Sequence, residues 1–341
     1  MTLILGTIGL AIFGIVFGLL YKGIDRKLSA HMQGRIGPPI RQPFRDATKL
    51  FSKENIVPEN AIAWIFNLAP LIGLAATISI LLYLPIGGFE PLFSSRGDLI
   101  LILYLLIMPS LAMVVGGFAS GSPYAIVGAQ REMTTMIAYE FPLAIVVISI
   151  AWKLSSMGNS NVFALSTIST TPVWHIVGPV GFIGFLILMF VLVIVTPAEL
   201  SKIPFDAPEA ETEIAGGLLV EYSGRNLAMF YLTDGVKTVV MASLIVALFF
   251  PYNLSPVLGF SSYAAFAIDI AFYLVKVFLV VLFSVTLIRV AIARLKIDQI
   301  VYTYWVPLTL IGLIGLICIM WDGLVMERLG LETISQMLGM A

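Results

Sequence analysis

Long apolar runs alternate with short polar segments along all 341 residues of the chain. Runs of about 17 to 25 apolar residues are long enough to cross a membrane as helices. Eight such runs lie near 3–21, 62–85, 99–118, 136–152, 175–196, 228–250, 264–288 and 303–321. The pattern predicts a single transmembrane domain over residues 1–341, an all-α integral membrane protein with eight transmembrane helices.

Composition supports this fold class. The chain is 59% hydrophobic and 11% charged, which leaves too little polar surface to cover a water-soluble protein. The first apolar run has no basic residue before it, and its cations follow it, so we expect a retained span rather than a cleaved signal peptide. A multi-pass protein of the cell membrane is the expected class.

The positive charges predict an orientation. With the N-terminus outside, the loops facing the cytoplasm hold fifteen of the nineteen Lys and Arg residues. The outer side holds Arg96, Lys153 and Arg328, and Lys276 falls inside the seventh span. Because cytoplasmic loops carry the excess of Lys and Arg, both termini are expected outside. A large polar partner is expected at the cytoplasmic loops.

A short amphipathic helix is predicted near 42–53, in the first cytoplasmic loop. Phe44, Ala47 and Phe51 share one face, opposite Arg45. Such a helix lies flat on the membrane surface.

Four segments resemble a known family. They are "QGRIGPP…QPFRDATKLFSKE" in the first loop, "GAQREMTTMIAYEFPLAI" (128–145), "PAELSKIPFDAPEAETEIAGGLLVEYSG" (197–224) and "RLKIDQIVYTYWVPLTL" (294–310). In this order the chain resembles the NADH dehydrogenase subunit 1 family, the H subunits of NADH-quinone oxidoreductase (complex I). The family includes the membrane anchor of energy-converting NiFe hydrogenases and related sulfur-reducing complexes.

Two departures resemble the hydrogenase side of that family. Only residues 39–41 separate Gly37-Pro38 from Gln42-Pro43, where the quinone-reducing branch usually has a longer insert. That branch also typically has an Ala-Gln pair shortly before the glutamate of the fourth span, where this chain has "TTM" (134–136), preceded by Glu132. A membrane-bound hydrogenase type is therefore the preferred interpretation.

The acidic cytoplasmic loop 197–227 carries the chemistry. Residues 203–224 hold five carboxylates and no cation. Apolar neighbours such as Phe205 and Leu218 predict a segment packed into protein, although a solvated acidic loop is the alternative. Packed neighbouring carboxylates cannot all be ionised at pH 7, so the loop is interpreted as a site that accepts protons from the cytoplasm.

Ionisable residues inside the spans extend this hypothesis. Glu140 precedes Pro142, which frees a backbone carbonyl, and the resemblance implies that it carries protons. Asp234 and Lys237 share one face of the sixth span, and Asp269 and Lys276 share one face of the seventh. These two sets form either static ion pairs or parts of a continuous polar path.

The candidate site residues fall into two groups, with no catalytic, cofactor-binding or metal-ligating residue. The expected proton pathway comprises Glu140, Glu199, Asp206, Glu209, Glu211, Glu213, Glu221, Asp234, Lys237, Asp269 and Lys276. The expected docking residues are Arg35, Gly37, Pro38, Arg41, Arg45, Arg131, Arg225 and Arg294.

Redox cofactors are expected in other subunits. The chain has one cysteine, Cys318, and two histidines, whereas an iron–sulfur cluster needs about four cysteines. The resemblance implies cytoplasmic partners that carry 4Fe-4S clusters and a NiFe site, or quinone-reductase-like partners, together with antiporter-like membrane subunits. It implies a non-catalytic subunit that couples a redox reaction to ion translocation, with no nucleic acid. Two alternatives are the quinone-binding subunit of a quinone oxidoreductase and a stand-alone secondary transporter.

Overall fold

The computed structural model describes residues 2–159, 161–259 and 263–329. Eight of its helices are long and apolar enough to cross a membrane. With the surface helix, they confirm the predicted all-α membrane fold.

We number the long helices and the surface helix in chain order. They are α1 (Thr2–Met32), α2 (Gln42–Ser52), α3 (Ala63–Leu81), α4 (Asp98–Ala119), α5 (Pro123–Ser156), α6 (Pro179–Glu199), α7 (Gly224–Phe249), α8 (Tyr263–Val281) and α9 (Thr309–Leu329). Helix α8 continues through a π-helical turn, Leu282–Thr286, into Leu287–Ala291. Helix α9 is preceded by Ile297–Thr303 and a second π-helical turn, Tyr304–Leu308. Short helices at Leu165–Thr170, Glu211–Ile214 and Ser255–Leu258 and 3-10 turns at Val173–His175, Ala207–Glu209 and Gly217–Leu219 lie in the connections.

Helix α7 forms the centre of the bundle. Its apolar stretch is 94% buried, a larger share than in any other described span. It packs against α1, α3 and α8. The contact with α1 is close because glycines meet there: a Cβ added to Gly18 would lie 2.5 Å from the carbonyl carbon of Gly235. Polar side chains of α7 therefore face protein, not lipid.

The surface helix α2 lies against the ends of α1 and α7. Pro43 and Ala47 are buried beneath it, and Phe51 is exposed. Asp46 joins it to α1 by accepting a hydrogen bond from Arg26 (3.1 Å), and it accepts a second one from Gln42 within α2 (2.8 Å).

A buried ion pair joins α5, α6 and α9 at the end of the bundle opposite α2. The Asp322 carboxylate accepts a hydrogen bond from Lys153 Nζ at 2.6 Å. It also accepts the backbone N–H groups of Gly178 (3.0 Å) and Gly181 (2.7 Å), where α6 begins. The side-chain exposures of Lys153 and Asp322 are 7% and 0%. The charge count assigns Lys153 to the outer side of the membrane, and at this end of the bundle its ammonium group lies inside the protein.

Candidate functional site

The acidic segment between α6 and α7 folds into three short helical turns against the bundle. Phe205, Ile214 and Leu218 are buried, which agrees with the expectation of a packed segment. Ala215 and Gly216 have positive φ angles of 53° and 96°, which turns the chain back on itself. The backbone of this segment is consequently held against the bundle; of its carboxylates, Asp206 is buried, whereas Glu211 and Glu213 are exposed.

Two of these carboxylates bind arginines from distant segments. Asp206 accepts hydrogen bonds from Arg294 at 2.5 and 3.0 Å. Glu213 accepts one from Arg131 of α5 at 2.5 Å. Asp206 and Glu213, which lack partners in the local sequence, therefore find them in the fold. Arg131 and Arg294, predicted as docking residues, have their guanidinium groups engaged within the chain.

Asp234 of α7 lies between two lysines. Lys22 of α1 contacts its carboxylate at 2.6 Å, and Lys202 contacts it at 2.6 and 2.7 Å. Lys22 Nζ also lies 3.4 Å from the centre of the Tyr231 ring. The suggested ion pair between Asp234 and Lys237 is therefore wrong. Residues three apart share a helix face, but neighbouring segments supply closer partners for both groups.

Lys237 instead pairs with Glu199, at the end of α6. Their charged atoms lie 2.8 Å apart, with side-chain exposures of 4% and 2%. Lys237 also donates to Ser110 at 3.0 Å, and the Ser110 hydroxyl lies 3.3 Å from that of Tyr139. The pair thus belongs to a polar network that joins α4, α5, α6 and α7.

Glu132 of α5 completes this network. It is 1% exposed and faces Ser110, Ser201 and Lys237. Glu140, half-buried on the same helix, is in electrostatic contact with Glu199 and Lys237. Across the described residues, one carboxylate oxygen each of Glu132 and Glu140 is buried without a hydrogen-bond donor. We call Glu132, Glu140, Glu199 and Lys237 the buried charge cluster. This cluster contains three carboxyl groups and one ammonium group. The number of protons that the carboxyl groups hold therefore determines the net charge of the cluster.

Two adjoining cavities connect this cluster with the acidic segment. The first, of about 260 Å³, is lined by Glu199 and Lys237 and also by Lys22, Glu209 and Asp234. The second, of about 390 Å³, shares Lys22, Lys202 and Glu209 with the first and reaches Asp206, Glu211 and Arg294. Both are lined mainly by charged and hydroxyl-bearing side chains, a surface that water and protons can follow.

Glu209 lies where these two cavities meet. It belongs to the 3-10 turn Ala207–Glu209, outside the spans. Burial, and next the negative charge of Asp234, raise the pKa of its carboxyl group to about 7. This carboxyl group can therefore gain and lose a proton near neutral pH.

Asp25 of α1 is a further charged group on the wall of the second cavity. It accepts hydrogen bonds from Thr286 (2.7 Å), the last residue of the first π-helical turn, and from Arg289 (3.0 Å), just after it. A π-helical turn inserted in an α-helix frequently marks a functional position.

Asp269 and Lys276 lie apart from this site; they interact electrostatically, but the hydrogen bonds that each side chain makes go to other groups. Asp269 accepts hydrogen bonds from the backbone N–H groups of Leu254 and Ser255. Lys276 donates to the carbonyls of Phe250 (2.9 Å) and Tyr252 (2.7 Å). Both side chains hold the connection between α7 and α8, at the end of the bundle remote from the acidic segment.

The other predicted residues lie at the surface of the end that holds the acidic segment. Glu211 is exposed and Glu221 half-buried. The predicted docking residues of the first loop and the start of α7 are fully or partly exposed, namely Arg35, Gly37, Pro38, Arg41, Arg45 and Arg225.

Sequence reasoning missed Lys22, Lys202 and Glu132 as members of the site. Lys22 and Lys202 were counted only as loop charges at span ends. Glu132 precedes the predicted fourth span near 136, but α5 begins at Pro123 and carries Glu132 into the interior. The spacing of Glu132 and Tyr139, seven residues apart and so on one helix face, was the available signal.

The fold and the site define a class: a multi-pass helical membrane protein whose interior holds a network of ionisable groups. A family model described as "NADH dehydrogenase" matches residues 5–320, and the chain belongs to that family.

Relatives come from more than one kind of complex. The H subunit of the NADH-quinone oxidoreductase of Anoxybacillus flavithermus is 34% identical over 264 residues, covering 74% of this chain and 76% of that protein. Hydrogenase-4 component C of Escherichia coli is 33% identical over 280 residues, covering 81% and 84%. A chain of the membrane-bound sulfane sulfur reductase, an archaeal respiratory membrane complex, superposes with a TM-score of 0.80 at 30% identity, covering 94% of this chain and all of that one. This protein is therefore a membrane subunit of a multisubunit respiratory redox complex.

Proposed function

We propose that this chain is the membrane anchor of a hydrogenase-type respiratory complex and couples a redox reaction to proton translocation. The observation that carries the proposal is the buried Glu199–Lys237 pair, which borders a charged cavity leading to the acidic segment. An ion pair with side-chain exposures of 4% and 2% is costly to bury, and such groups inside membrane proteins usually serve ion or proton movement.

In this mechanism protons enter at the acidic segment. Glu209 holds a proton near neutral pH and faces both cavities. A proton passes from Glu209 along the first cavity to Glu199. The protonated Glu199 is neutral, so its ion pair with Lys237 is lost. A change of charge in a docked redox subunit would shift these equilibria through the electric field. Glu140, at the edge of the buried charge cluster, would pass the proton toward neighbouring membrane subunits.

The lining of the second cavity favours protons over a quinone. Lys22, Lys202 and Glu209 line this cavity together with Asp206 and Arg294, whereas an isoprenoid tail binds to apolar walls. The short spacer of residues 39–41 also supports the hydrogenase branch over the quinone-reducing branch.

The docking surface would be the exposed end that carries the acidic segment. Arg35, Arg41 and Arg45 are exposed there, beside Ile36, which is 87% exposed. Cations around an exposed apolar side chain are typical of a protein interface. The positive-inside distribution of Lys and Arg supports a cytoplasmic position for this end, with both termini outside. The single cysteine cannot hold a 4Fe-4S cluster, so iron–sulfur clusters and the NiFe site would belong to partner subunits.

The first test measures metals and proton stoichiometry in the complex purified through a tag on this chain. Nickel together with many iron atoms supports the hydrogenase branch, and iron without nickel contradicts it. In liposomes, Glu199→Gln should lower the number of protons moved per electron, because it removes the carboxylate that holds Lys237. The matched control is Glu327→Gln, an exposed glutamate near the end of α9. Equal stoichiometry in both variants would contradict the proposed coupling.

A further inference from the structure

A third cavity opens at the end of the bundle opposite the acidic segment. It has a volume of about 430 Å³, far more than the roughly 10–15 Å³ that a single water molecule needs. Its walls come from the connection between α3 and α4, from the short helix Leu165–Thr170, from the end of α7 and from α8. Proton transfer from the acidic segment to the buried charge cluster does not use this cavity.

Lys276 of α8 places an ammonium group at the third cavity. Its Nζ donates to the carbonyls of Phe250 (2.9 Å) and Tyr252 (2.7 Å), and an ammonium group has three donors. Asp269 interacts with Lys276 electrostatically, but that carboxylate already accepts hydrogen bonds from the loop that follows α7. Among the described residues, no carboxylate forms an ion pair with Lys276. A half-buried cation with a free donor is therefore available to an anion in the cavity.

The walls of the third cavity carry further groups that can bind a polar ligand. Ser166 and Asn253 are exposed there, and in the described part of the chain their side chains make no hydrogen bond. Both can donate to a phosphate oxygen. Glu90, also exposed, adds a carboxylate that has no ion-pair partner in residues 2–159, 161–259 and 263–329. The cavity thus offers one cation and one anion, together with neutral donors.

The ammonium group of Lys276 lies at the depth of a lipid headgroup. It contacts the carbonyl of Phe250, the first residue after α7, so it is level with the end of the sixth span. A lysine within a span commonly extends its side chain toward the membrane interface. On α8 and its continuation, Val275, Leu279 and Phe283 follow at four-residue spacing, with exposures of 52%, 42% and 56%. This apolar ridge can contact the acyl chain of a lipid whose headgroup lies at Lys276.

We propose that the third cavity binds the headgroup of a phospholipid that carries an amine, with its phosphate at Lys276 and its ammonium group at Glu90. A phosphate oxygen accepts the free N–H of Lys276, and hydrogen bonds between charged groups are roughly twice as strong as neutral ones. The lipid ammonium group donates to the Glu90 carboxylate. A headgroup without an amine would leave the negative charge of Glu90 beside the phosphate and without a partner. The proposal does not depend on proton translocation, because none of these residues belongs to the acidic segment or the buried charge cluster.

Two positions of the chain supply further variants. Arg96 is an exposed cation in the connection between α3 and α4, and it does not line the cavity, so Arg96→Gln is the matched control for Lys276→Gln. Ser166→Trp fills the cavity with a bulky side chain and leaves the hydrogen bonds of Lys276 in place. It therefore tests the site even if Lys276→Gln fails to assemble.

The experiment measures lipid retention by native mass spectrometry of the intact complex, after detergent exchange has removed its lipids. The complex is offered phosphatidylethanolamine, phosphatidylglycerol or inorganic phosphate, each alone. The wild type should retain phosphatidylethanolamine more strongly than phosphatidylglycerol. Lys276→Gln should weaken this retention by about tenfold or more, because a hydrogen bond between charged groups is lost. Ser166→Trp should also weaken it, Glu90→Gln should remove the preference between the two lipids, and Arg96→Gln should behave as the wild type.

Wild-type retention in Lys276→Gln or in Ser166→Trp overturns the proposal, and so does a wild-type preference for phosphatidylglycerol. Equally strong binding of inorganic phosphate would assign the site to a free anion and overturn the lipid. The measurement involves no redox turnover. A complex that moved no protons would refute the proposed function and leave the result on lipid binding unchanged.

Discussion

The Lys153–Asp322 pair allows a quantitative test of how the bundle is held together. Lys153→Met would leave the Asp322 carboxylate at 0% exposure with only the N–H groups of Gly178 and Gly181. Removing one partner of a buried ion pair typically costs about 3–5 kcal/mol, whereas losing an exposed pair costs about 0–1 kcal/mol. We expect the variant to be much less stable than one that breaks a surface pair.

The loss of stability expected for Lys153→Met comes from leaving the Asp322 carboxylate buried without a cation, and not from the lost attraction between the two charges. At 2.6 Å the Coulomb attraction is about 6 kcal/mol for an effective dielectric constant of about 20. Removing both groups from water offsets most of this, at several kcal/mol per ion. The double variant Lys153→Met/Asp322→Asn carries no buried charge and keeps a carbonyl oxygen for one glycine N–H. It should therefore recover much of the stability that Lys153→Met loses.

The assay is heat inactivation of the purified complex, read as the amount of soluble assembled complex after a fixed heating ramp. Membrane complexes unfold irreversibly, so the variants are compared at one heating rate. Asp46→Asn is the control, since it breaks the surface pair with Arg26, whose side-chain exposures are 34% and 31%. If Lys153→Met were as heat-stable as Asp46→Asn, or the double variant no better than Lys153→Met, the reasoning would be refuted.

Three further outcomes are expected. Gly18→Ala should sharply reduce the yield of assembled complex, because its Cβ would lie 2.5 Å from the Gly235 carbonyl, whereas Gly235→Ala finds its nearest neighbour at 3.4 Å and should be tolerated. The Glu209 pKa is raised to about 7, so the folded state keeps a proton that the unfolded state releases above about 4.5. Heat stability of the wild type should therefore fall relative to Glu209→Gln between pH 5 and pH 8. Arg131→Gln frees Glu213 from a partly exposed pair worth about 1 kcal/mol or less, so limited proteolysis should cut the acidic segment faster.

The predictable part of this fold is the part set by local pattern. Apolar runs predicted eight spans, and the faces of Phe44 and Ala47 predicted the surface helix, because membrane insertion depends on the composition of each segment. Packing of the acidic segment also followed from its own apolar residues.

The partners of the charges could not be predicted in this way. Asp234 and Lys237 share a helix face, yet each binds a residue from another helix because α7 is surrounded. Glu132 appeared to precede a span, and only the length of α5 brings it inside. The contacts of Tyr21 with Leu274 and of Ser243 with Tyr273 depend on three helices meeting, which no local spacing encodes.

The burial of α7 has a consequence for biogenesis. Its mean hydropathy is 1.7, the lowest of the described spans, and it carries Asp234 and Lys237. Each such charge disfavours insertion of an isolated helix by about 2.5–3.5 kcal/mol at its centre. During synthesis, α7 therefore inserts poorly into lipid on its own. It must pack against spans that have already been inserted. Lys22 on α1 and Glu199 on α6 are already made when α7 emerges, so the charges that later serve the site also give α7 its partners during insertion.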